Sequence, residues 1–254
     1  MTREISSYYI CNPVTRKWKK LPALNGVRRH DFVGLGFDTC TRRCTLVLGI
    51  NKWEEIPGGV LVVKIYDSEG DEWTTFRTIN ALSSAPTGEG VFSGGSFYWL
   101  SVTSEVKNRL IMGRTGVAAL NVENRTWSII STPQRPLDSR SEPYCHDCIS
   151  DWNLTGHEGN VVLVYNIYLR LWRLDENNNS WAEARPFPES PCLGMPYTGM
   201  KYYSPLVLVN SCGWILVHLP DLGLVVMDSQ GTVIHAIEAA SINPPRGFAY
   251  EINN

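Results

Sequence analysis

The 254-residue chain carries little net charge and has no long, uninterrupted apolar segment. Its formal charge of −2 at neutral pH gives no electrostatic reason to expect a nucleic acid or a membrane as a partner. The most apolar stretch, residues 206–227, is broken by polar residues and a proline, whereas a transmembrane helix needs about 20 mostly apolar residues. The first residues also lack the basic-then-apolar pattern of a secretory signal. We therefore expect neither nucleic-acid nor membrane binding, and a location in the cytoplasm, the nucleus or both.

The sequence also lacks a cysteine pattern typical of a disulfide framework. Its seven cysteines are an odd number scattered along the chain, which without a secretory signal indicates reduced thiols. Cys145 and Cys148 together with Cys40 and Cys44 would make up a four-ligand zinc set. Because the two pairs are far apart in sequence, we prefer buried thiols beside a core His146, and we expect no metal and no cofactor.

No catalytic motif is present. The chain has no Gly-x-Ser-x-Gly elbow, no His-Glu-x-x-His and no phosphate-binding glycine loop. The five histidines lie in different parts of the sequence, and no paired carboxylates accompany them. We therefore expect no catalytic residues and no enzyme, although an enzyme such as a glycosidase or an oxidase stays open as an alternative.

What the chain does have is a repeat of 53–55 residues. A polar turn that begins with Asn or Asp leads after six residues to a tryptophan, at 12–18, 67–73, 121–127 and 175–181. A degenerate fifth copy begins at Asp228 and has no tryptophan. A fixed period of this kind is typical of one supersecondary unit repeated along the chain.

Each period contains four short β-prone runs separated by turn residues, with no helical periodicity. In the third period these are 90–93, 96–101, 117–120 and 126–130, with a polar loop at 102–116; in the next, the first strand is expected at 145–152. Four-stranded antiparallel units of this size predict an all-β, kelch-like β-propeller. We expect one domain over 1–254, with four complete blades and two partial ones, and leave ring closure open. The expected units are 8–22 (partial), 31–77, 90–131, 145–186, 203–238 and 247–253 (partial).

The four repeated tryptophans have two interpretations. Trp18, Trp73, Trp127 and Trp181 would serve either as an aromatic platform for a ligand or as packing between neighbouring blades. Their equivalent positions favour packing, because buried aromatic side chains dominate cores of this type.

Long connections are expected at one face of the propeller, at 23–31, 51–59, 79–90, 103–116, 132–144 and 187–203. Recognition concentrates in long loops held by a rigid frame, and Trp, Tyr and Arg anchor protein interfaces. We predict that this loop face binds a protein partner through the following residues: Arg28, Arg29, His30, Trp53, Lys107, Arg109, Arg140, Tyr144, Met195, Tyr197, Tyr202 and Tyr203.

The turn with its tryptophan resembles the second half of a kelch repeat, although the kelch diglycine is absent after the second strand of each unit. Three motifs in order, Ile10-Cys-Asn-Pro-Val-Thr-Arg-Lys-Trp-Lys-Lys-Leu-Pro22, Val33-Gly-Leu-Gly-Phe-Asp38 and Gly95-Ser-Phe-Tyr-Trp-Leu100, resemble the plant F-box-associated, kelch-like propellers. In that family the propeller captures a protein for ubiquitination, while an F-box docks on the Skp-type adaptor of a cullin ligase.

The resemblance therefore implies the substrate-binding region of an F-box subunit of a ubiquitin ligase. The chain shows no residues that resemble the F-box. The adaptor and the cullin would therefore bind only through a segment upstream of Met1. We expect the chain to lack an N-terminal part of its parent protein. We expect a monomer. A stand-alone kelch-type interaction scaffold without a ubiquitin role is the other interpretation.

Overall fold

The computed structural model describes residues 5–12, 15–25, 30–38, 40–52, 60–79, 84–107, 110–133, 152–157, 159–165, 170–184, 206–209, 215–219, 223–227 and 233–237. Throughout these ranges the regular structure is β-strand, so the predicted all-β class is confirmed. No helix in the described ranges is long and apolar enough to cross a membrane.

The strands are numbered in chain order. They are β1 Ile5–Ser6, β2 Tyr9–Asn12, β3 Lys17–Lys20, β4 Leu24–Asn25, β5 Phe32–Asp38, β6 Arg43–Lys52, β7 Val60–Asp67, β8 Glu72–Ile79, β9 Ser84–Pro86, β10 Gly88–Ser93, β11 Ser96–Lys107, β12 Leu110–Asn121, β13 Thr126–Ser131, β14 Trp152–His157, β15 Asn160–Tyr165, β16 Arg170–Asp175, β17 Ser180–Ala184, β18 Leu206–Val209, β19 Ile215–Leu219, β20 Gly223–Met227 and β21 Val233–Ile237.

Sixteen of these strands form four antiparallel, four-stranded sets in which sequence neighbours pair. We call β5–β8 sheet I, β10–β13 sheet II, β14–β17 sheet III and β18–β21 sheet IV. Strands β2 and β3 form a separate antiparallel pair, the N-terminal hairpin. The short β9 adds to β11 at Ser101–Thr103, and β1 pairs with β4.

The first strands of the four sheets are neighbours in chain order. β5 and β10 pair in parallel, with Phe32 opposite Gly88 and Gly34 opposite Gly90, so sheets I and II share main-chain hydrogen bonds. β10 contacts β14, and β14 contacts β18. Four-stranded antiparallel sheets that meet through their first strands have the arrangement of propeller blades.

The core consists of apolar layers between successive sheets. One layer joins the N-terminal hairpin to sheet I, through residues such as Leu21 and Tyr66. A second lies between sheets I and II around Phe32 and Trp99, and a third between sheets II and III around Trp152. The N-terminal hairpin and sheets I to III thus pack mainly against one another, as expected for units that cannot bury both faces alone.

Two glycines allow sheets I and II to approach closely. A Cβ added to Gly34 would lie 2.6 Å from the Phe97 ring, and one added to Gly36 would lie 2.5 Å from the Phe92 ring. Trp99 also donates its indole N–H to the main-chain oxygen of Val33, with Nε1···O 2.8 Å. The sequence motifs at 33–38 and 95–100 therefore pack against each other.

Two predicted boundaries were wrong. The expected loop at 103–116 is largely a β-hairpin, since β11 continues to Lys107 and β12 begins at Leu110, in unbroken register from Ser101↔Gly116 to Lys107↔Leu110. Its polar residues include threonine, which suits strands. The first strand of sheet III runs from Trp152 to His157, later than the predicted 145–152, because Gly159 (φ 71°) permits a tight turn directly after it. Residues 145–151 lie outside the described ranges.

Candidate functional site

Antiparallel topology gives the sheets two distinct ends. Connections from first to second and from third to fourth strands lie at one end, the turn end. Connections from second to third strands, and from each sheet to the next, lie at the other, the loop end. In the N-terminal hairpin and sheets I to III most of the turn end falls within the described ranges, whereas the turn-end connections of sheet IV, 210–214 and 228–232, lie outside them.

The turns between third and fourth strands have one common backbone structure. The side-chain oxygen of the first residue accepts a main-chain N–H two or three residues later, from Thr15 to Asn12, Glu69 to Asp67, Asn124 to Asn121 and Asn177 to Asp175. The fifth residue has positive φ in each of the four described copies, at Arg16, Asp71, Arg125 and Asn179. Asn and Asp favour such turns because their short side chains bond to the nearby backbone. The sequence repeat is therefore a repeat of local structure.

Charged side chains at the turn end are paired with one another. Arg43 Nε donates to Asp67 Oδ1 at 2.8 Å, and its guanidinium also pairs with Glu69 at 3.4 Å. The hydrogen bond from Arg43 lowers the pKa of the Asp67 carboxyl below its ordinary value. Arg43 is the first residue of β6 and Asp67 the last of β7, so this group closes the end of sheet I.

A second charged group joins the N-terminal hairpin to sheet I. Asp71 Oδ1 accepts the Tyr66 hydroxyl at 2.7 Å and lies 3.0 Å from the Lys19 ammonium nitrogen. These two contacts, led by the Tyr66 hydrogen bond, lower the pKa of Asp71. The pKa of Lys19 is raised, first by its contact with the Tyr66 hydroxyl and then by its contact with Asp71. The Lys19–Asp71 pair thus connects the N-terminal hairpin to sheet I.

A third polar contact joins sheets II and III. Ser93 Oγ lies 2.6 Å from the main-chain oxygen of Gly159 and 2.7 Å from Glu176 Oε1. Burial, with the nearby Glu176 charge, raises the pKa of Tyr98. Sequence reasoning missed this contact, because nothing in the local sequence relates Ser93 to a turn 83 residues later.

Three of the four repeated tryptophans pack between sheets, and two use the indole N–H in the same way. Trp73 Nε1 donates to the main-chain oxygen of Pro22 at 3.0 Å, and Trp181 Nε1 donates to that of Ser131 at 2.9 Å. Each acceptor lies four residues after the tryptophan of the preceding repeat. Trp127 packs between sheets I and II, but its buried Nε1 has no hydrogen-bond partner among the described atoms.

Trp18 differs from the other three. It is 71% exposed, because no described sheet precedes the N-terminal hairpin and covers it. The prediction that all four repeated tryptophans pack between blades was thus wrong for Trp18 within the described structure.

Two of the partner residues predicted at the loop end are described. His30 is exposed just before β5, and Lys107 is the last residue of β11 rather than a loop residue. The other ten predicted partner residues lie outside the described ranges: Arg28, Arg29, Trp53, Arg109, Arg140, Tyr144, Met195, Tyr197, Tyr202 and Tyr203.

One element projects from the loop end. β11 and β12 are 12 residues long, whereas β13 has six and stops pairing at Ser131↔Gly116. Beyond Thr103, the last residue of β11 that pairs with β9, the two strands pair only with each other among the described strands. The projecting hairpin (Ser104–Lys107 with Leu110–Gly113) extends roughly 13 Å beyond its sheet, at about 3.3 Å per residue.

Metal binding and thiol chemistry gain no support from the described residues. In this part of the chain no group of three or more His, Cys, Asp and Glu side chains is placed to hold a metal ion. Cys40 is exposed and Cys44 half-buried, both as free thiols, and burial raises the pKa of Cys44. A raised pKa favours the unreactive thiol over the thiolate. Cys145 and Cys148 lie outside the described ranges.

The described ranges thus define an all-β protein built from propeller-like sheets, with short turns at one end and longer connections at the other. Residues 1–114 match the family model of the F-box associated beta propeller domain. The chain is also 25% identical, over 190 residues, to the F-box protein At5g49610 of Arabidopsis thaliana. That alignment covers 69% of this chain and 49% of the relative, so the chain spans about half the length of the curated relative it matches.

Two solved structures are similar in fold. A luciferin-regenerating enzyme aligns with 91% of this chain and 69% of its own, at 8% identity and a TM-score of 0.49. YjhT aligns with 85% of this chain and 67% of its own, at 10% identity and a TM-score of 0.46. At these values neither likeness bears on function.

Proposed function

We propose that this chain is the substrate-binding region of an F-box subunit of a Skp-cullin-F-box ubiquitin ligase, and that it binds a target protein without catalysing a reaction. The observation that carries the proposal is the match of residues 1–114 to the F-box associated beta propeller domain. The similarity to an Arabidopsis F-box protein supports the same assignment. Adaptor and cullin would bind through an F-box, and this region would act as a monomer in the cytoplasm or nucleus.

The described structure supports a binding role for the loop end. In the described part of the turn end the connections are short turns, and the carboxylates of Asp67 and Asp71 are already paired with Arg43 and Lys19. The loop end instead presents a hairpin whose outer edges pair with no other strand in the described ranges, together with the exposed His30. Elements of this kind, held by a rigid frame, are where proteins place their binding residues.

The experiment is an affinity purification of the full-length parent protein from plant cells, with Ala at Arg28, Lys107, Arg140 and Tyr197. We expect the unaltered protein to recover the Skp-type adaptor and its target protein together. The fourfold variant is expected to retain the adaptor, lose the target protein and keep its melting temperature.

The matched control carries four substitutions at the turn end, where Lys17, Glu72, Glu123 and Asn177 are all exposed. Their replacement by Ala is expected to leave target binding unchanged. Loss of the target in this control, together with its retention in the loop-end variant, would show that the wrong face was chosen.

The ligase role has its own test in the reading frame upstream of Met1. A helical F-box of about 40–50 residues is expected there, since that segment would bind the adaptor. Recovery of the target protein without adaptor, from a parent with no such segment, would instead identify a stand-alone interaction scaffold.

A further inference from the structure

The second strand of the projecting hairpin has one edge that the described strands leave open. β13 pairs with β12 only as far as Ser131↔Gly116. At the next position the Thr132 hydroxyl donates to the main-chain oxygen of Thr115, with Oγ1···O 2.9 Å, so a side chain closes the ladder there. β12 itself continues to Leu110 in unbroken register with β11. The hydrogen bonds between β12 and β13 therefore stop while β12 still has residues to pair.

The register shows which main-chain groups point out of this edge. In an antiparallel strand, successive residues direct their N–H and C=O groups to opposite neighbours. The oxygen of Thr115 faces the β13 side, since it accepts from Thr132, whereas the N–H of Val122 donates to the residue directly before β11. The main-chain groups of Gly113 and Ile111, two and four residues before Thr115, thus face the β13 side. No strand in the described ranges pairs with them there, and we call these two positions the open edge.

The sequence of this segment does not protect the edge against strand pairing. Exposed sheet edges are usually protected by charged residues, by proline or by a bulge. β3, an edge strand of the N-terminal hairpin, follows this rule with Lys17, Lys19 and Lys20. Residues 110–113, Leu-Ile-Met-Gly, have no charge and no proline, and their pairing with β11 contains no bulge. Because a glycine within a strand often marks a close approach of another main chain, Gly113 suits the addition of a strand.

We propose, as an extension that rests on the proposed function, that an extended segment of the target protein adds to the open edge as a further β-strand. Its main chain bonds to Ile111 and Gly113. The class of ligand follows from the edge, because a second extended main chain supplies donors and acceptors at the spacing of alternate residues, about 6.6–6.8 Å. The position at the loop end allows the rest of the target protein to contact the partner residues predicted there.

A second copy of the chain fits this edge less well than a target protein does. Four residues of strand, 110–113, extend roughly 13 Å. Their pairing with the same four residues of another copy would bury much less than the roughly 1,200 Å² of a stable interface. A target protein adds contacts with other parts of the loop end, so the strand supplies only part of its binding free energy.

Substitution of Gly113 tests the main-chain contact. Gly113→Pro removes the outward N–H, which the sheet does not use, so the variant is expected to fold with an unchanged melting temperature. Gly113→Ala keeps the N–H and is the matched control. The measurement is the dissociation constant of the full-length parent for the purified target protein. We expect Gly113→Pro to weaken binding at least about tenfold and Gly113→Ala less than about threefold, with adaptor binding unchanged in both.

Three results would overturn the strand addition and leave the proposed function standing. The first is target binding by Gly113→Pro as tight as that of the unaltered protein. The second is an equal loss in Gly113→Pro and Gly113→Ala, which would show an effect independent of the N–H. The third is unfolding of Gly113→Pro, which would show that this N–H is bonded within the sheet. An affinity purification that recovers no target protein would instead contradict the proposed function, and the strand addition with it.

Amide hydrogen exchange on the unaltered protein gives a second measurement. In the free protein Ile111 and Gly113 are expected to exchange almost as fast as in an unstructured peptide, whereas Met112 and Arg114, which face β11, exchange more slowly and serve as internal controls. Bound target protein is expected to slow exchange at Ile111 and Gly113 at least about tenfold. Protection of these two amides in the free protein would overturn the proposal. It would assign the edge to this chain if independent of protein concentration, and to a second copy if it rises with concentration.

Discussion

The N-terminal hairpin and sheet I carry the same turn and the same tryptophan, yet the two tryptophans have different surroundings. In both, the first turn residue accepts a backbone N–H and the fifth has positive φ. Trp73 packs against the hairpin and donates to Pro22, whereas Trp18 is 71% exposed. The turn is therefore specified locally, while the contribution of the tryptophan to stability depends on a neighbouring sheet.

The largest difference in stability is expected between variants that lack one or the other of these two tryptophans. Trp73→Ala is expected to destabilise the protein by about 3 kcal/mol, because it removes a packed aromatic side chain between two sheets. Trp18→Ala is expected to cost less than about 0.5 kcal/mol, as for most exposed positions. Urea unfolding measures both values. Similar losses at both positions would mean that Trp18 is covered in solution and that the comparison fails.

A second pair of substitutions, with a smaller expected effect on stability, separates the contribution of the indole hydrogen bond from that of indole packing. Trp181→Phe removes a donor bonded to Ser131, whereas Trp127→Phe removes a buried donor that has no described partner. Because a satisfied hydrogen bond contributes about 1 kcal/mol, Trp181→Phe is expected to be more destabilising than Trp127→Phe by at least about that amount. The two melting curves give the difference. A larger loss at Trp127 would indicate that its N–H is bonded in solution.

The pH dependence of stability extends the comparison to the carboxylates of Asp67, in sheet I, and Asp71, at the contact between sheet I and the N-terminal hairpin. The pKa values of Asp67 and Asp71 are both lowered by folding, so their stabilisation is present above the unfolded pKa and is lost as pH falls through the folded pKa. Asp67→Asn is expected to destabilise the protein by up to about 1 kcal/mol at pH 7 and to flatten the decline of stability below pH 4.

Asp71→Asn probes the contact between the hairpin and sheet I in the same way. The destabilisation caused by Asp71→Asn at pH 7 is expected to be smaller than that caused by Asp67→Asn, because exposed ion pairs contribute little to stability. Thermal unfolding between pH 2.5 and pH 7 measures both variants. A variant that declines with acid as steeply as the unaltered protein would rule out its carboxylate as a source of that decline.

The smallest effect concerns the fifth residue of the turns. Arg16→Gly is expected to stabilise the protein by up to about 1 kcal/mol, because glycine adopts positive φ without the steric cost that a side chain incurs. Arg125→Gly is expected to gain less, since the Arg125 guanidinium lies 6.0 Å from the centre of the Phe76 ring. Differential scanning calorimetry resolves such shifts. Destabilisation by Arg16→Gly would show that its side chain makes a stabilising contact.

The sequence allowed the repeated parts of the fold to be predicted, because their causes are local. An Asn or Asp six residues before a tryptophan specifies a turn, and β10 and β13 lie within one or two residues of the runs expected at 90–93 and 126–130. The projecting hairpin was predicted as a loop because polar residues such as Thr103, Ser104 and Glu105 are typical of connections. In the structure these residues pair with Gly113 and its neighbours and continue the sheet. Composition could not reveal that pairing.

The candidate site was less predictable than the fold for a physical reason. The contacts from Trp73 to Pro22 and from Ser93 to Glu176 join residues 51 and 83 positions apart, and they depend on how sheets stack. The tryptophan spacing shows that repeats exist, but not which carbonyl each indole meets. Of the partner residues predicted from loop length and residue type, His30 and Lys107 are described, and their role in binding stays a prediction.

The parallel pairing of β5 with β10 has a mechanical consequence. Main-chain hydrogen bonds cross from one blade-like unit to the next at Phe32–Gly34 and Gly88–Gly90, whereas the described contacts between sheets II and III are made by side chains and one serine-to-carbonyl bond. Under force applied across the ring, sheets I and II are therefore expected to resist as one body. The contacts between sheets II and III are expected to break before those between sheets I and II.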